Sequence, residues 1–185
     1  MSERREELIE KALDYFLEHG LAGLSLRPLA EHIGTSARLL VYHFGSKDGL
    51  VTAVMHEVQA RAQASFAAAA ARHKTGSANR PLHVFWTWVI HPSNIRSMRL
   101  LFEVQALALQ NPAGYAHYLE GTSSTWLELI EGALPPSKRN RVVATLCAAV
   151  VDGLVLEYLN TGDRSRTTQA LDLFTQLMQN RAGDA

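Results

Sequence analysis

The stretch SLRPLAEHIGTSARLLVYHFGSK, from Ser25 to Lys47, constrains this chain more than any other segment. It reads as a helix, a glycine turn and a second short helix. Ser25 stands where an N-cap belongs, and Pro28 is tolerated in a first helical turn. Leu26, Leu29, Ala30 and Ile33 then recur at one-face helical spacing. Ala30 is small, as two closely crossing helices require. Gly34 permits the positive φ of a tight turn, and Ser36 caps the next helix. Leu40 and Phe44 lie four apart and point inward together. Gly45 ends that helix, and Ser46 caps a fourth one carrying Leu50, Val51, Val54, Met55 and Val58 on one face. The pattern predicts a helix-turn-helix whose second helix is free to enter a DNA groove.

The outward positions of that helix are Ala37, Arg38, Leu39, Val41, Tyr42 and His43. An arginine there can hydrogen-bond guanine O6 and N7 or a phosphate, and Ala37 or Leu39 can touch a thymine methyl. Tyr42 and His43 have the reach and polarity for phosphates. Arg27 opens the preceding helix, where such residues cross the backbone. Lys47 sits beside the free N–H groups opening the fourth helix, a combination suited to phosphate. With Ser25 and Ser36 these residues make the expected DNA-binding set.

Charge argues that any such contact is local. The whole chain has a formal net charge of +0, so no global basic field marks a nucleic-acid partner. The first 50 residues hold 6 basic against 8 acidic side chains, a net −2. From Ser25 to Lys47 the balance is +2, from Arg27, Arg38 and Lys47 against Glu31. Glu3, Glu6, Glu7 and Glu10 of the first helix are expected to face away from DNA.

This segment resembles the DNA-binding domain of TetR-family transcriptional regulators. The family pattern is roughly T-x-x-x-[IL]-A followed by G-[VT]-S-x-x-x-L-Y-x-[HY]-F-x-[SN]-K-x-x-L. Ser25, Leu29-Ala30, Gly34-Thr35-Ser36, Leu40, His43-Phe44, Ser46-Lys47 and Leu50 match it. The first-helix stripe Leu8, Ile9, Ala12 and Phe16, closed by His19-Gly20, also fits, as more weakly does VVDGLVLEYLNTGD followed by LDLFTQLM near the end. One departure stands out: Val41 occupies the family's tyrosine position, and a tyrosine follows at Tyr42. The resemblance implies a homodimer on a palindromic operator of double-stranded DNA, usually a repressor released by a small-molecule effector.

The rest of the chain reads as helix throughout, with no convincing alternating strand. The alanine-rich ASFAAAAARHK continues the fourth helix with high propensity and little specificity. Thr75 to Asn79 reads as a loop. Prolines at 81, 92, 112 and 135–136 then bound helix-sized segments over 82–91, 93–110, 113–134 and 137–160, and a last helix runs over 167–180. The expectation is all-α with about nine helices: a DNA-binding domain over 1–46 and a ligand-binding and dimerisation domain over 47–185, the fourth helix (about 47–74) connecting them. A single cysteine, no apolar leader and an apolar run (Val142–Val151) too short to span a bilayer suggest a soluble cytoplasmic protein without a membrane partner.

Aromatic residues crowd the second half. Phe85, Trp88, Phe102, Tyr115, Tyr118 and Trp126, with Glu103, Gln105, Cys147 and Asp152 as polar groups inside apolar stretches, form the expected effector set. Plain core packing accounts for any one of them equally well. Trp86 and Trp88 lie on different helix faces, so both cannot line one cavity. Asp152 follows ten residues of almost no polarity, and a buried acid needs a partner. The last two long helices are too apolar to be covered by one chain of this size. Val151, Leu154, Tyr158, Leu173, Phe174 and Leu177 are therefore expected in a symmetric four-helix dimer interface, an intrachain bundle being the alternative.

No catalytic or metal motif occurs: there is no HExxH or CxxC, and Ser93, Ser123 and Cys147 stand without a nucleophile signature. No cofactor is expected. Two other readings stay open: a helical ligand-binding protein whose helix-turn-helix is unused, and an activator rather than a repressor.

Overall fold

The computed structural model describes residues 3–73, 81–134 and 139–180. Among them are nine helices and no strand: α1 Glu3–His19, α2 Leu26–His32, α3 Ala37–Phe44, α4 Lys47–His73, α5 Pro81–Val89, α6 Pro92–Gln110, α7 Ala116–Ala133, α8 Arg141–Thr161 and α9 Arg164–Asn180. The expected loop at Thr75–Asn79 and the prolines at 135–136 lie outside the described residues.

Three helix starts differ from expectation by three or four residues, two through a side-chain cap and one through a turn held ahead of the helix. α8 begins at Arg141 instead of residue 137, because the Asn140 side chain accepts the Val142 N–H at 2.7 Å. α9 begins at Arg164 instead of residue 167, because Asp163 Oδ1 accepts the Arg166 N–H at 2.9 Å. That bond holds the Asp163 carboxyl below its usual range. Thr167 becomes a buried residue whose hydroxyl donates to the Asp163 carbonyl at 2.8 Å. α7 starts at Ala116, since the Asn111 side chain accepts the Gly114 N–H at 3.2 Å and holds a turn ahead of it.

The chain divides into two compact units, Met1–Ala64 with Ser93–Ser123, and Ser65–Pro92 with Ser124–Ala185. They are drawn differently from the domains expected to meet after residue 46. α4 contributes residues to both units, and α6 belongs with the helix-turn-helix.

The first unit is built around α1, whose Leu8, Ile9, Ala12, Leu13 and Phe16 are all buried. Each large side chain so buried contributes about 1.5–3 kcal/mol relative to exposure. Leu29, Leu40, Leu50, Val51 and Val54 are buried with them. The second unit packs α5, α8 and α9. The Trp86 indole N–H donates to Thr168 Oγ1 at 2.9 Å, and His83 Nε2 lies 2.6 Å from Asp172 Oδ1. The inward face of α8 is Ala144, Cys147, Val151 and Val155, a regular helical stripe.

Candidate nucleic-acid interface

The turn between α2 and α3 has the geometry its residues dictate. Gly34 has φ +71°, a conformation that strains any side-chain-bearing residue. Ser36 caps α3 by accepting the Leu39 N–H at 3.1 Å, and Ser46 caps α4 by accepting the Gly49 N–H at 2.9 Å. Ser25 stands at the N-cap of α2 in extended geometry, but its side chain makes no capping bond there.

Leu40 is buried and Phe44 half-buried, with the Arg5 guanidinium 5.0 Å from the Phe44 ring centroid. The opposite face is open. Tyr42 is 80% exposed and takes no part in the core. Arg38 and Val41 are exposed, and Ala37, Leu39 and His43 are half-buried. Arg27 is exposed near Glu31, 3.8 Å away, and Lys47 is exposed at the first turn of α4. Among the described residues neither Arg38 nor Lys47 is held in an ion pair, so both cations are available.

Two acids of α1 are engaged elsewhere. Glu7 meets Lys11 at 2.9 Å and Arg4 at 2.5 Å, and these hydrogen bonds hold its carboxyl below the usual range. Glu10 pairs with Arg61, which also takes Glu57 at 2.7 Å; the Glu57 bond does most to raise the guanidinium pKa. The negative balance of the first 50 residues is thus partly neutralised by pairing.

Helix α6 grips the same unit. Glu103 accepts the Leu21 N–H at 2.5 Å and lies 3.2 Å from Arg99 Nε. Arg96 donates to the Leu17 carbonyl at 2.9 Å. Gly20, at φ +73°, leaves the room: a Cβ there would stand 3.0 Å from a Glu103 oxygen. At the start of α4, Asp48 accepts from the Tyr115 hydroxyl at 3.1 Å and from Asn111 at 3.0 Å. Burial first, and then the Asp48 charge, push the Tyr115 hydroxyl up to about 12, so it remains a donor at neutral pH.

The residues expected to bind an effector are therefore not one group. Phe102, Glu103, Gln105, Tyr115 and Tyr118 belong to the first unit, where Glu103 and Tyr115 hold the helix-turn-helix helices and Gln105 is exposed. Phe85, Trp88 and Trp126 come together in the second unit. Their ring centroids lie 5.5–6.3 Å apart, and Phe66 completes the cluster at 5.0 Å from Phe85. Phe66 was hidden in the alanine run, where a lone aromatic gives no periodic signal. The Trp88 indole N–H donates to Ser65 Oγ at 3.1 Å. Trp86 faces away from this cluster toward Tyr158, at 6.3 Å, as its different helix face implied. Cys147 packs apart from it, in a small core with Leu134 and Ala144. Asp152, read as a buried acid, is exposed; the apolar protein beside it still raises its carboxyl pKa by partial desolvation.

The apolar surface of α8 and α9 is also redistributed. Val151 is buried within its own chain, and Phe174 packs on the Cys147 core. Val151 therefore has little surface left for a partner, whereas Phe174 keeps part of its ring exposed. Leu154 and Tyr158 are half-buried, while Leu173 and Leu177 are each 57% exposed. Val142, Leu146 and Leu156, absent from the expected interface, are exposed on α8. α8 as a whole is long and apolar enough to cross a membrane by length and composition, so the short run Val142–Val151 understated it.

A capped two-helix turn with an open, cation-bearing second helix on an all-α chain defines a helix-turn-helix DNA-binding regulator. Comparison with known proteins makes the class specific. The profile of bacterial regulatory proteins of the tetR family matches residues 8–54. The regulatory protein RaaS of Mycobacterium tuberculosis is 30% identical over 162 residues, 81% of this chain and 68% of RaaS. The transcriptional repressor AcnR of Corynebacterium diphtheriae is 24% identical over 94% of this chain and 90% of AcnR. The crystal structure of the multidrug binding protein EbrR complexed with proflavin has a TM-score of 0.62 at 25% identity, covering 95% of this chain and 99% of EbrR. The chain belongs to the TetR family of transcriptional regulators. Its relatives are regulators, not enzymes.

Proposed function

We propose that the chain is a homodimeric repressor that reads a palindromic operator and is released by a small apolar or amphipathic effector. The observation that carries this reading is the open face of α3: Tyr42 stands out at 80% exposure beside an unpaired Arg38, on a helix capped by Ser36 at its start and Gly45 at its end. Arg38 reads a base edge. Tyr42, His43, Arg27, Lys47 and the serines at 25 and 36 hold phosphates, with Ala37 and Leu39 against bases. Tyr42 supplies the contact that Val41 cannot make.

One such helix spans only a half-site. A two-fold pair places two of them about 34–36 Å apart, one turn of DNA. The exposed apolar side chains of α8 and α9 support that pairing: Val142 (76%), Leu146 (48%), Leu156 (46%), Leu173 and Leu177 need cover in water. Gly153 adds a place of close approach, with open space where a Cβ would stand. Pairing of two copies covers α8 without a membrane, in keeping with a cytoplasmic DNA-binding protein.

The effector binds at the Phe66, Phe85, Trp88 and Trp126 cluster, whose flat faces suit an aromatic or apolar molecule. AcnR is a repressor and EbrR a multidrug binding protein, which supports both halves of the reading. Coupling runs through α4, the helix that carries Phe66 and also begins at Lys47. An effector acts only through its different affinity for the DNA-binding and released states. A gel shift on DNA upstream of the chain's own gene tests the proposal. A retarded band that proflavin or a similar flat cation dissolves is expected; no sequence-selective band contradicts it.

A further inference from the structure

One group of side chains lies outside both the recognition helix and the aromatic cluster. His19 ends α1 and His32 ends α2, and the turn between the helices brings the two rings to 5.6 Å, centroid to centroid. Glu18 joins them, its Oε2 3.9 Å from His19 Nε2. One ligand atom from each of Glu18, His19 and His32 lies within 4.8 Å of the others. The Tyr15 ring packs against both imidazoles, at 4.3 Å from His19 and 5.0 Å from His32. Two imidazole nitrogens and one carboxylate oxygen, drawn from two helices, are thus gathered on one spot.

The geometry points to a divalent transition-metal site formed by Glu18, His19 and His32, with zinc as the ion it fits. Imidazole and carboxylate together suit zinc or its late first-row neighbours, whereas magnesium and calcium take all-oxygen sites. Tetrahedral zinc, with bonds of about 2.0–2.2 Å, sets its ligand atoms roughly 3.3 Å apart. The three side chains are exposed, so rotamer changes close the remaining gap without moving backbone. Both histidines lie in the last turn of their helices, where free carbonyls favour positive charge. Water fills the fourth position. The ion ties the end of α1 to the end of α2, the helix that carries Arg27. The site is independent of the operator and effector assignments and survives their failure.

The test uses the full chain, free of any affinity tag. Cobalt(II), a visible-absorbing stand-in for zinc, is titrated in, and zinc is then used to displace it. Wild type is expected to take up one cobalt with visible bands and release it to zinc. His19→Ala and His32→Ala each abolish those bands, and Glu18→Gln weakens binding more than about tenfold. His117→Ala serves as the control, since His117 is exposed 3.5 Å from Glu120 at a different place on the surface. It leaves the titration unchanged. Unchanged helicity shows that each variant is folded. On wild type alone, zinc shifts the ring proton resonances of His19 and His32. Absence of cobalt binding by wild type, retention of it by the His19→Ala and His32→Ala double variant, or zinc shifts confined to other histidines overturns the site.

Discussion

The helix-turn-helix and the α8–α9 pair are both exposed, and they are exposed for opposite reasons. α3 turns polar and charged groups outward over a small buried anchor, Leu40, and its turns are held by glycine and serine geometry within a few residues. α8 and α9 turn leucine and valine outward over an equally ordered inner stripe. The first is a surface complete in itself that awaits a polar partner. The second is an apolar face, which the proposed dimer would turn into half of a hydrophobic interior. The contrast shows where sequence reading is strong: local turn chemistry specifies the first surface, whereas the second, on the proposed reading, is completed by another copy of the chain and so leaves no local signal.

The largest effect is expected from breaking the apolar half. Leu173→Lys with Leu177→Lys places two charges in the proposed interface. Sedimentation should show a monomer, and operator affinity should fall by about 10²–10⁴ as the two half-sites cease to be linked. A dimer that persists separates the apolar face from self-association. Next, Arg38→Ala should cost about 1–3 kcal/mol on the operator and much less on random DNA, read by anisotropy titration. Lys47→Ala serves as its foil: it should weaken both DNAs alike and reduce the salt slope by about 1. Equal losses on both DNAs for Arg38→Ala would make it a phosphate contact.

Two smaller changes sharpen how the polar surface is held. Glu103→Ala leaves the Leu21 N–H without its side-chain acceptor and should cost about 1–3 kcal/mol in urea unfolding. Tyr115→Phe should cost about 1 kcal/mol at neutral pH by removing the bond to Asp48. Its sign with pH is fixed by the raised hydroxyl value. The folded hydroxyl titrates near 12 against 10.0 for the free group. Its contribution is therefore complete below pH 10, declines above it and is lost as pH rises through 12. A wild-type advantage over Tyr115→Phe that grew across that range would contradict the assignment.

Much of the fold was legible. Ser36, Ser46, Gly34 and the Leu40–Phe44 pair act as their types and spacing imply, because caps and tight turns are decided within three or four residues. Helix starts slipped where a capping side chain, Asn140 or Asp163, sets the boundary and the proline and periodicity pattern does not. The effector set was less legible because an aromatic or acidic residue reads the same in a core, a pocket or a brace. Glu103 and Tyr115 are braces, and only the chain's return through α6 and α7 brings them to Leu21 and Asp48. Phe66 was missed for the converse reason, a single ring in a run without pattern. Inward and outward are hard to tell apart for Val151, which is buried, and Phe174, which is partly buried, because α8 and α9 are apolar on more than one face and that removes the phase of the pattern.

The central claim is that two copies of α3 read DNA sequence together. Selection of bound fragments from a pool of random duplexes by the purified chain tests it with no operator chosen in advance. The account predicts enrichment of an inverted repeat whose half-sites are centred about 10–10.5 base pairs apart or a multiple of that. Recovery of an unenriched pool, or of single half-sites with no fixed spacing, would contradict it.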